Sequence, residues 1–509
     1  MDEPLPFLHP DLFTHRHNTA WRVEPGRRDP VAPVLAPRYP WDSGAVFAHG
    51  TALFDPIDRR FKLWNVSNPA DSHARRLTYA ESEDGLHWTR PELDLCPYDA
   101  AHPRTNVLLD LDSGGNCSYA SVFVDPEAAP ERRYEMFLFR EAYAGRSVTI
   151  PGLPLPPGQT RHPNGTYRYR SPDGLRWTPV EGPVIVHGRD YGMYPYGTSD
   201  TCYVYKEPDG TYVSYHKTLL PSFPGGPVPY DTSHGVCRLA ARRTSPDGSR
   251  FGEPLIVMAP DWRDPQDTQI MELLPLPVPG GYVAIVTVFH TLGQTIDLQF
   301  AASRDGISWW RPDRRPCLAN DPLGDYCGGM IWPTRTLIEH EGSYLLYFCG
   351  LDGLHGDPFD TGPGEQIRAA GIGFRDWTLH GEVFTTKQNL SASYHGGIHR
   401  AVWTAGRLWA MVSAEGGDSE AACVAPVPPG AARRLVLDAA TQGEGQIAAE
   451  LLDGEGRPLP GFDRAGCVPF RGDDRRAALR WEGQDGPVDG ASAVRFYMRR
   501  ARLYGFAFT

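Results

Sequence analysis

The chain lacks positive charge. Its 62 Asp and Glu outnumber its 50 Lys and Arg, and the formal net charge is −12. No long basic run offsets this. A nucleic-acid backbone needs a basic stripe to displace its counterions, so nucleic acid is not an expected partner. No apolar stretch is long enough to span a bilayer, and no membrane partner is expected. The opening MDEPLPFLHPD is acidic and Pro-rich, without the apolar core of a secretory leader. A cytoplasmic location follows as an expectation, which a chain trimmed of its leader would escape. The nine cysteines are odd in number and form no CxxC pair. Several, such as Cys202 and Cys349, sit inside apolar strand-like runs, which reads as buried thiols in a reducing compartment. No HExxH spacing supports a metal site among the histidines.

Gly and Pro are abundant instead. They number 54 and 49, about one residue in five, and are spread over all 509 positions. Interleaved with short apolar runs, they predict many short strands joined by turns rather than disorder. The length leaves room for two or three domains.

One turn recurs. SEDGLHW at 82–88, SPDGLRW at 171–177 and SRDGISW at 303–309 share one shape, SPDGSRF at 245–251 is a degraded copy, and FRDW at 374–377 is a thinner one. Each full copy follows a strand-like run. Asp-Gly between two such runs is a hairpin signal, because Gly accepts the positive φ of a tight turn. The Ser and Asp side chains cap local backbone groups. The aromatic residue then packs on the hairpin.

Upstream of each turn lie two more strands. The second is aromatic-rich: RFKLWNV at 60–66, RYEMFLF at 133–139, TYVSYHK at 211–217, GYVAIVTVF at 281–289, SYLLYF at 343–348 and RLWAMV at 407–412. That makes six modules, with inner strands beginning near Asp42, Asn116, Asp200, Asp267, Asp325 and His395. This predicts an all-β, six-bladed β-propeller over residues 1–430. The sixth module lacks the turn, and NTAWRVE at 18–24 is expected to supply its outer strand and close the ring. From about Arg433 the grammar changes to alternating or compact apolar runs, which predict a small accessory β-sandwich over 431–509.

The segment WDSGAVFAHGTALFDPIDRRFKLW at 41–64 resembles the first blade of the glycoside hydrolase propellers of the invertase, levanase and arabinanase-like families. SPDGLRW resembles the Asp-box turns of sialidases, one residue shorter. The likeness covers most of 30–430 at the level of blade grammar. It implies five blades as the alternative to six, with one module absorbed as an insertion. It also implies a carbohydrate partner, a furanoside of the arabinose or fructose type, and a catalytic role for Asp42 as base or nucleophile. Two departures matter. Trp41-Asp42-Ser43-Gly44 stands where invertases carry Asn-Asp-Pro-Asn. Arg-Asp-Pro occurs at 28–30 and 263–265, outside the family order.

Inner strands of a propeller converge on one funnel, so polar residues on them can meet. Glycosidic cleavage uses two carboxyl groups, one to protonate the leaving oxygen and one to attack the sugar or activate water. The candidates are Asp42, Asp200 and Glu272. Glu272 lies between Met271 and Leu273 in an apolar strand, where burial would raise its proton affinity as a general acid requires. The opposing readings are a turn cap for Asp42, an Asx turn for Asp200 and a buried ion pair for Glu272. Asp325, His49, His395, His399, Arg400, Arg189, Trp332 and Trp41 are the substrate-binding candidates, with Asp267 and His355 behind them. No redox cofactor is implied, and a Ca²⁺ ion is compatible with an Asp-rich funnel. The expected function is a glycoside hydrolase acting on an oligosaccharide or small glycoside. A noncatalytic glycan- or protein-binding propeller is one alternative. A glycan phosphorylase or lyase is another, with His395, His399 and Arg400 as a phosphate pocket.

Overall fold

The computed structural model describes residues 5–69, 75–110, 116–141, 165–186, 198–221, 236–291, 293–322, 325–355, 396–414, 419–427, 434–484 and 490–509. These residues are almost entirely strand and turn, in small antiparallel sheets. Sheet I holds Ala45–Asp55, Arg60–Asn68, Arg76–Ser82 and Val107–Leu109 in that order. Sheet II holds Asn116–Val124, Tyr134–Glu141, Gly165–Ser171 and Thr178–Val186. Sheet III holds Thr198–Lys206, Tyr212–Pro221, Val236–Ser245 and Leu255–Met258. Sheet IV holds Thr268–Val278, Gly281–His290, Thr295–Ser303 and Trp309–Trp310. Sheet V starts with the interrupted strand Met330–Pro333 and Ile338–His340, continues through Ser343–Leu351 and Gly396–Thr404, and ends on Arg27–Arg28. A single parallel bridge, Ile296 to Met330, joins sheets IV and V.

The first strands of sheets I to IV pack in succession. The first strand of sheet V packs on Thr295–Ser303 of sheet IV, and it also packs on the first strand of sheet I. The five sheets thus form a closed, propeller-like ring. The recurrent turns show how it is held. In each, the Ser hydroxyl accepts the Gly amide, at 2.9 Å for Ser82–Gly85 and 2.8 Å for Ser171–Gly174. The Asp carboxylate accepts the next amides, as Asp173 does from Leu175 and Arg176. All four glycines have φ between 69° and 76°, which a side chain rarely tolerates. Each turn is gripped by the preceding sheet. Trp64 Nε1 donates to the Gly174 carbonyl at 2.7 Å, Arg168 to Asp247 at 2.8 Å, and the Tyr215 hydroxyl to Gly306 at 2.8 Å. The Tyr347 hydroxyl of sheet V donates to Gly85 of sheet I at 2.7 Å, so four of the five junctions carry this contact among the described residues. Trp88 and Trp309 meet Tyr347 and Tyr215 edge-on, the packing expected of the aromatic position.

The sixth module does not form a blade. Its first strand, Gly396–Thr404, pairs along its whole length with Ser343–Leu351 and is the third strand of sheet V. Its second, Trp409–Ser413, pairs instead with Thr19–Val23 and touches Ala493–Phe508. The N-terminal segment therefore does two jobs: Arg27–Arg28 completes sheet V, while Thr19–Val23 joins the C-terminal sheet. That sheet is curled around two long strands, Leu435–Leu452 and Ala493–Phe508. It also takes in Leu5–Pro6, His15–His17, Ala421–Pro426 and Asp473–Ala478. Sheet membership thus crosses the expected 430/431 boundary. FRDW at 374–377 lies outside the described residues.

All nine cysteines are free thiols, seven of them buried. Among the described residues, no helix is long and apolar enough to cross a membrane.

Candidate functional site

Every inner strand of the ring breaks register near its leading end. In sheet I, Ala48, His49 and Gly50 stand opposite the single residue Asn65. In sheet II, Tyr119 and Ala120 face Leu138. In sheet III, three residues including Asp200 face Lys217, and in sheet IV Met271 is inserted just before Glu272. In sheet V, Thr334–Leu337 interrupt the strand between its two paired pieces. A bulge adds a residue to one strand and re-aims its side chains. His49, Tyr119 and Asp200 lie in these bulges, and Glu272 directly follows one. The backbone is specialised for them. Tyr119 has φ of +56°, a strained value for an aromatic residue and a common mark of functional sites. A Cβ at Gly50 would lie 2.0 Å from the Trp64 carbonyl oxygen, so only glycine fits.

Glu272 is 2% exposed. Its Oε2 accepts the Thr287 hydroxyl at 2.7 Å, while Oε1 has no partner among the described residues. Burial pushes its proton affinity up to about 8, and Asp200 adds to the rise, against the Thr287 hydrogen bond and the Lys217 ammonium. Asp200 lies 2.7 Å from Lys217 in an ion pair. His49 is 4% exposed. Its ring stacks on Tyr119 at 4.8 Å and Phe47 at 5.4 Å and meets the edge of Trp332 at 5.1 Å. Neither of its ring nitrogens has a partner among the described residues. Burial, then the Arg75 and Lys217 cations, hold its proton affinity well below the usual histidine value against the pull of Asp200. The imidazole is therefore neutral. Tyr119 and Tyr203 are also buried and respond to Glu272, their phenols pushed well above the usual range, chiefly by burial. Glu272, Asp200, His49 and Trp332 thus belong to one cluster.

No family profile matches the chain, and no curated protein does. Among solved structures, the chain is similar to a glycosyl hydrolase from Bacteroides ovatus (TM-score 0.44, 15% identity, 80% of this chain and 98% of the other). It is also similar to a structure described under the GH130 family of mannoside phosphorylases, which contains glycoside hydrolases that target β-1,2 mannosidic linkages in Candida mannan (TM-score 0.43, 16% identity, 76% and 95%). A third is an N-acetylgalactosamine deacetylase from F. plautii in complex with blood group B trisaccharide (TM-score 0.44, 15% identity, 76% and 96%). At such TM-scores these likenesses carry no weight for residues or reaction, which must be read from the cluster itself.

The other candidates lie elsewhere. Asp42 is 2% exposed, but its Oδ1 accepts the Arg38 and Tyr39 amides at 2.7 and 2.6 Å, and its Oδ2 lies 3.4 Å from Arg90. Burial raises its proton affinity, opposed by Arg90 and those amides. It caps the turn that enters the first inner strand. Trp41 stacks on Tyr39 at 4.7 Å and donates to Asn106 at 2.8 Å. Two cavities of about 510 and 260 Å³ adjoin that stack and share Tyr39 and Arg90, yet no residue of the axial cluster lines either. Asp325 is exposed in a surface turn, its amide donating to Pro322.

His399 and Arg400 do not form a joint pocket. Adjacent strand residues point to opposite faces. His399 stacks on Phe348 at 5.5 Å, and burial with the nearby Arg28 cation lowers its proton affinity to about 4. Arg400 is committed to Asp29 at 2.5 Å. His395 and Arg189 lie outside the described residues. His355 packs 4.7 Å from Phe289 and 6.2 Å from Trp332, at the edge of the cluster. Among the described residues, no group of three or more His, Cys, Asp or Glu could hold a metal ion.

Sequence reading passed over Lys217, Tyr119 and Arg75. Lys217 carried a signal: it ends the aromatic run TYVSYHK, where a charge needs a partner. Tyr119 carried none, because its role depends on a bulge set by the neighbouring strand.

Proposed function

We propose that the chain is a glycoside hydrolase in which Glu272 is the general acid and Asp200 the carboxylate that faces it. The observation carrying this reading is the Glu272 carboxyl, buried, anchored on one oxygen by Thr287 and unpartnered on the other among the described residues. With its proton affinity near 8 it holds a proton at neutral pH, the state an acid needs before it protonates a leaving glycosidic oxygen. Asp200, neutralised by Lys217, then attacks the sugar or activates a water on the opposite face of the ring. His49 is a neutral hydrogen-bonding group, and Trp332 an apolar surface, for the sugar at the axis. No redox cofactor takes part.

A panel of aryl glycosides, run with the wild type and Glu272→Gln, tests the assignment. Glu272→Gln should abolish cleavage of poor leaving groups and spare much of the cleavage of dinitrophenyl glycosides, which need little protonation. Equal hydrolysis of a poor leaving group by both proteins would sink the assignment. Proton NMR of the first product anomer then decides between attack by Asp200 and by water.

The ion pair that occupies Asp200 also favours a second reading, a glycan-binding ring without turnover. Saturable binding of a glycan that neither protein cleaves would support it.

A further inference from the structure

Among the described residues, the charge around this cluster is unbalanced. The groups that act electrostatically on His49, Tyr119 and Glu272 are Asp200 and Lys217 from sheet III, Arg75 from the edge of sheet I, and the Asp200–Glu272 pair itself. Lys217 is matched by Asp200 at 2.7 Å. Arg75 is matched by no carboxylate among the described residues. Its guanidinium stands over Phe47, 5.1 Å from the ring centroid. Phe47 in turn stacks on His49, whose two nitrogens are buried without partners among the described residues. The position is pinned, not incidental. The Arg75 carbonyl accepts the Cys117 amide at 2.9 Å, and Arg75 bridges to Asn116 at the head of the second inner strand. A cation without a carboxylate partner among the described residues therefore lies where sheets I and II meet, one aromatic ring away from a buried histidine whose nitrogens have no partner among them.

We infer that the substrate carries a carboxylate, as a uronic-acid residue does, and that Arg75 binds it at the leading ends of sheets I and II beside Phe47 and His49. A guanidinium presents planar paired donors that fit a carboxylate in bidentate fashion. A neutral sugar would leave Arg75 without a carboxylate partner beside Phe47 and His49. His49 can satisfy a sugar hydroxyl without adding charge. This names the substrate class of the proposed hydrolase and rests on that reading of the cluster.

Calorimetric titration of full-length Glu272→Gln with methyl glycosides tests it. The panel is glucuronide, galacturonide and mannuronide, each with its neutral and 6-sulfated counterpart. One uronide should bind about tenfold or more tighter than its neutral counterpart, as one charge-assisted contact provides, and the difference should shrink with salt. Adding Arg75→Met should remove the preference at unchanged Tm, and Arg75→Lys should restore part of it. Equal binding of acidic and neutral sugars, a stronger sulfated ligand, no uronide binding, or a preference that survives Arg75→Met each overturns the inference. The two readings fail separately. Glu272-dependent hydrolysis of neutral glycosides without uronide preference keeps the hydrolase and removes the acidic substrate. Arg75-dependent uronide binding without any hydrolysis does the reverse.

Discussion

Glu272 gains its properties from position alone, since the same side chain in water would be ionised at neutral pH. Its folded-state proton affinity, about 8, lies above the ordinary carboxylate value. Folding therefore takes up a proton between those two values, and stability falls as pH rises through that window. Glu272→Gln cannot ionise, so its Tm should exceed that of the wild type near pH 8 and match it near pH 4, as scanning calorimetry will read. In the proposed role, the same proton sets activity. Wild-type kcat should fall above about pH 8, and Glu272→Gln should lose about 10²–10⁴-fold together with that alkaline limb. Asp42 is expected to behave differently. Asp42→Ala should cost about 1–2 kcal/mol in urea unfolding through loss of the turn cap, with kcat changed only a few-fold. A loss as large as that of Glu272→Gln would return Asp42 to the catalytic machinery.

At the scale of elements, the bulge is the unit that matters. Each inner strand is held in register by its neighbour on both sides of the break, and the extra residues have nowhere to go but the axis. Gly50→Ala would set a Cβ 2.0 Å from a backbone oxygen of Trp64, which no side-chain rotation relieves. It should destabilise by about 3 kcal/mol and displace His49. Gly252→Ala, whose Cβ would meet only the Thr244 carbonyl at 3.7 Å, should stay within about 0.5 kcal/mol. Equal midpoints for the two variants in urea would mean the first bulge can relax. The recurrent turns are the complementary element. They sit at the end away from the bulges, with carboxylates such as Asp173 held below their usual proton affinity by the amides they cap, against the cost of burial.

For the whole molecule, closure depends on residues far apart in sequence. Arg27–Arg28 completes sheet V, Asp29 binds Arg400, and Thr19–Val23 and Leu5–Pro6 are strands of the C-terminal sheet. That sheet and sheets IV and V share one hydrophobic core, in which Phe300, Trp403, Trp409, Phe496 and Leu503 are buried together. Residues 434–509 expressed alone should therefore show no cooperative thermal transition by circular dichroism. A sharp transition would establish them as an autonomous domain. Deleting residues 1–30 should likewise abolish cooperative folding, since it removes the closing strand together with three strands of the C-terminal sheet.

The all-β class, the hairpin turns, five of the second strands and the burial of Glu272 were legible in the sequence. These follow from local chemistry: Gly at positive φ, Ser and Asp as turn caps, and apolar neighbours around one acid. The number of blades was not legible. Gly396–Thr404 has the composition of an inner strand, and only its pairing with Ser343–Leu351 makes it the third strand of sheet V. The site was legible only in part. Asp200, Glu272, His49 and Trp332 stood out as polar or aromatic residues on inner strands, and so did Asp42, whose carboxylate the fold binds to its own turn. Lys217, Tyr119 and Arg75 join the cluster because strands from different sheets meet at one axis. Composition and local spacing specify elements, whereas which side chains share a funnel is decided by register and ring closure, and both are set by partners hundreds of residues away.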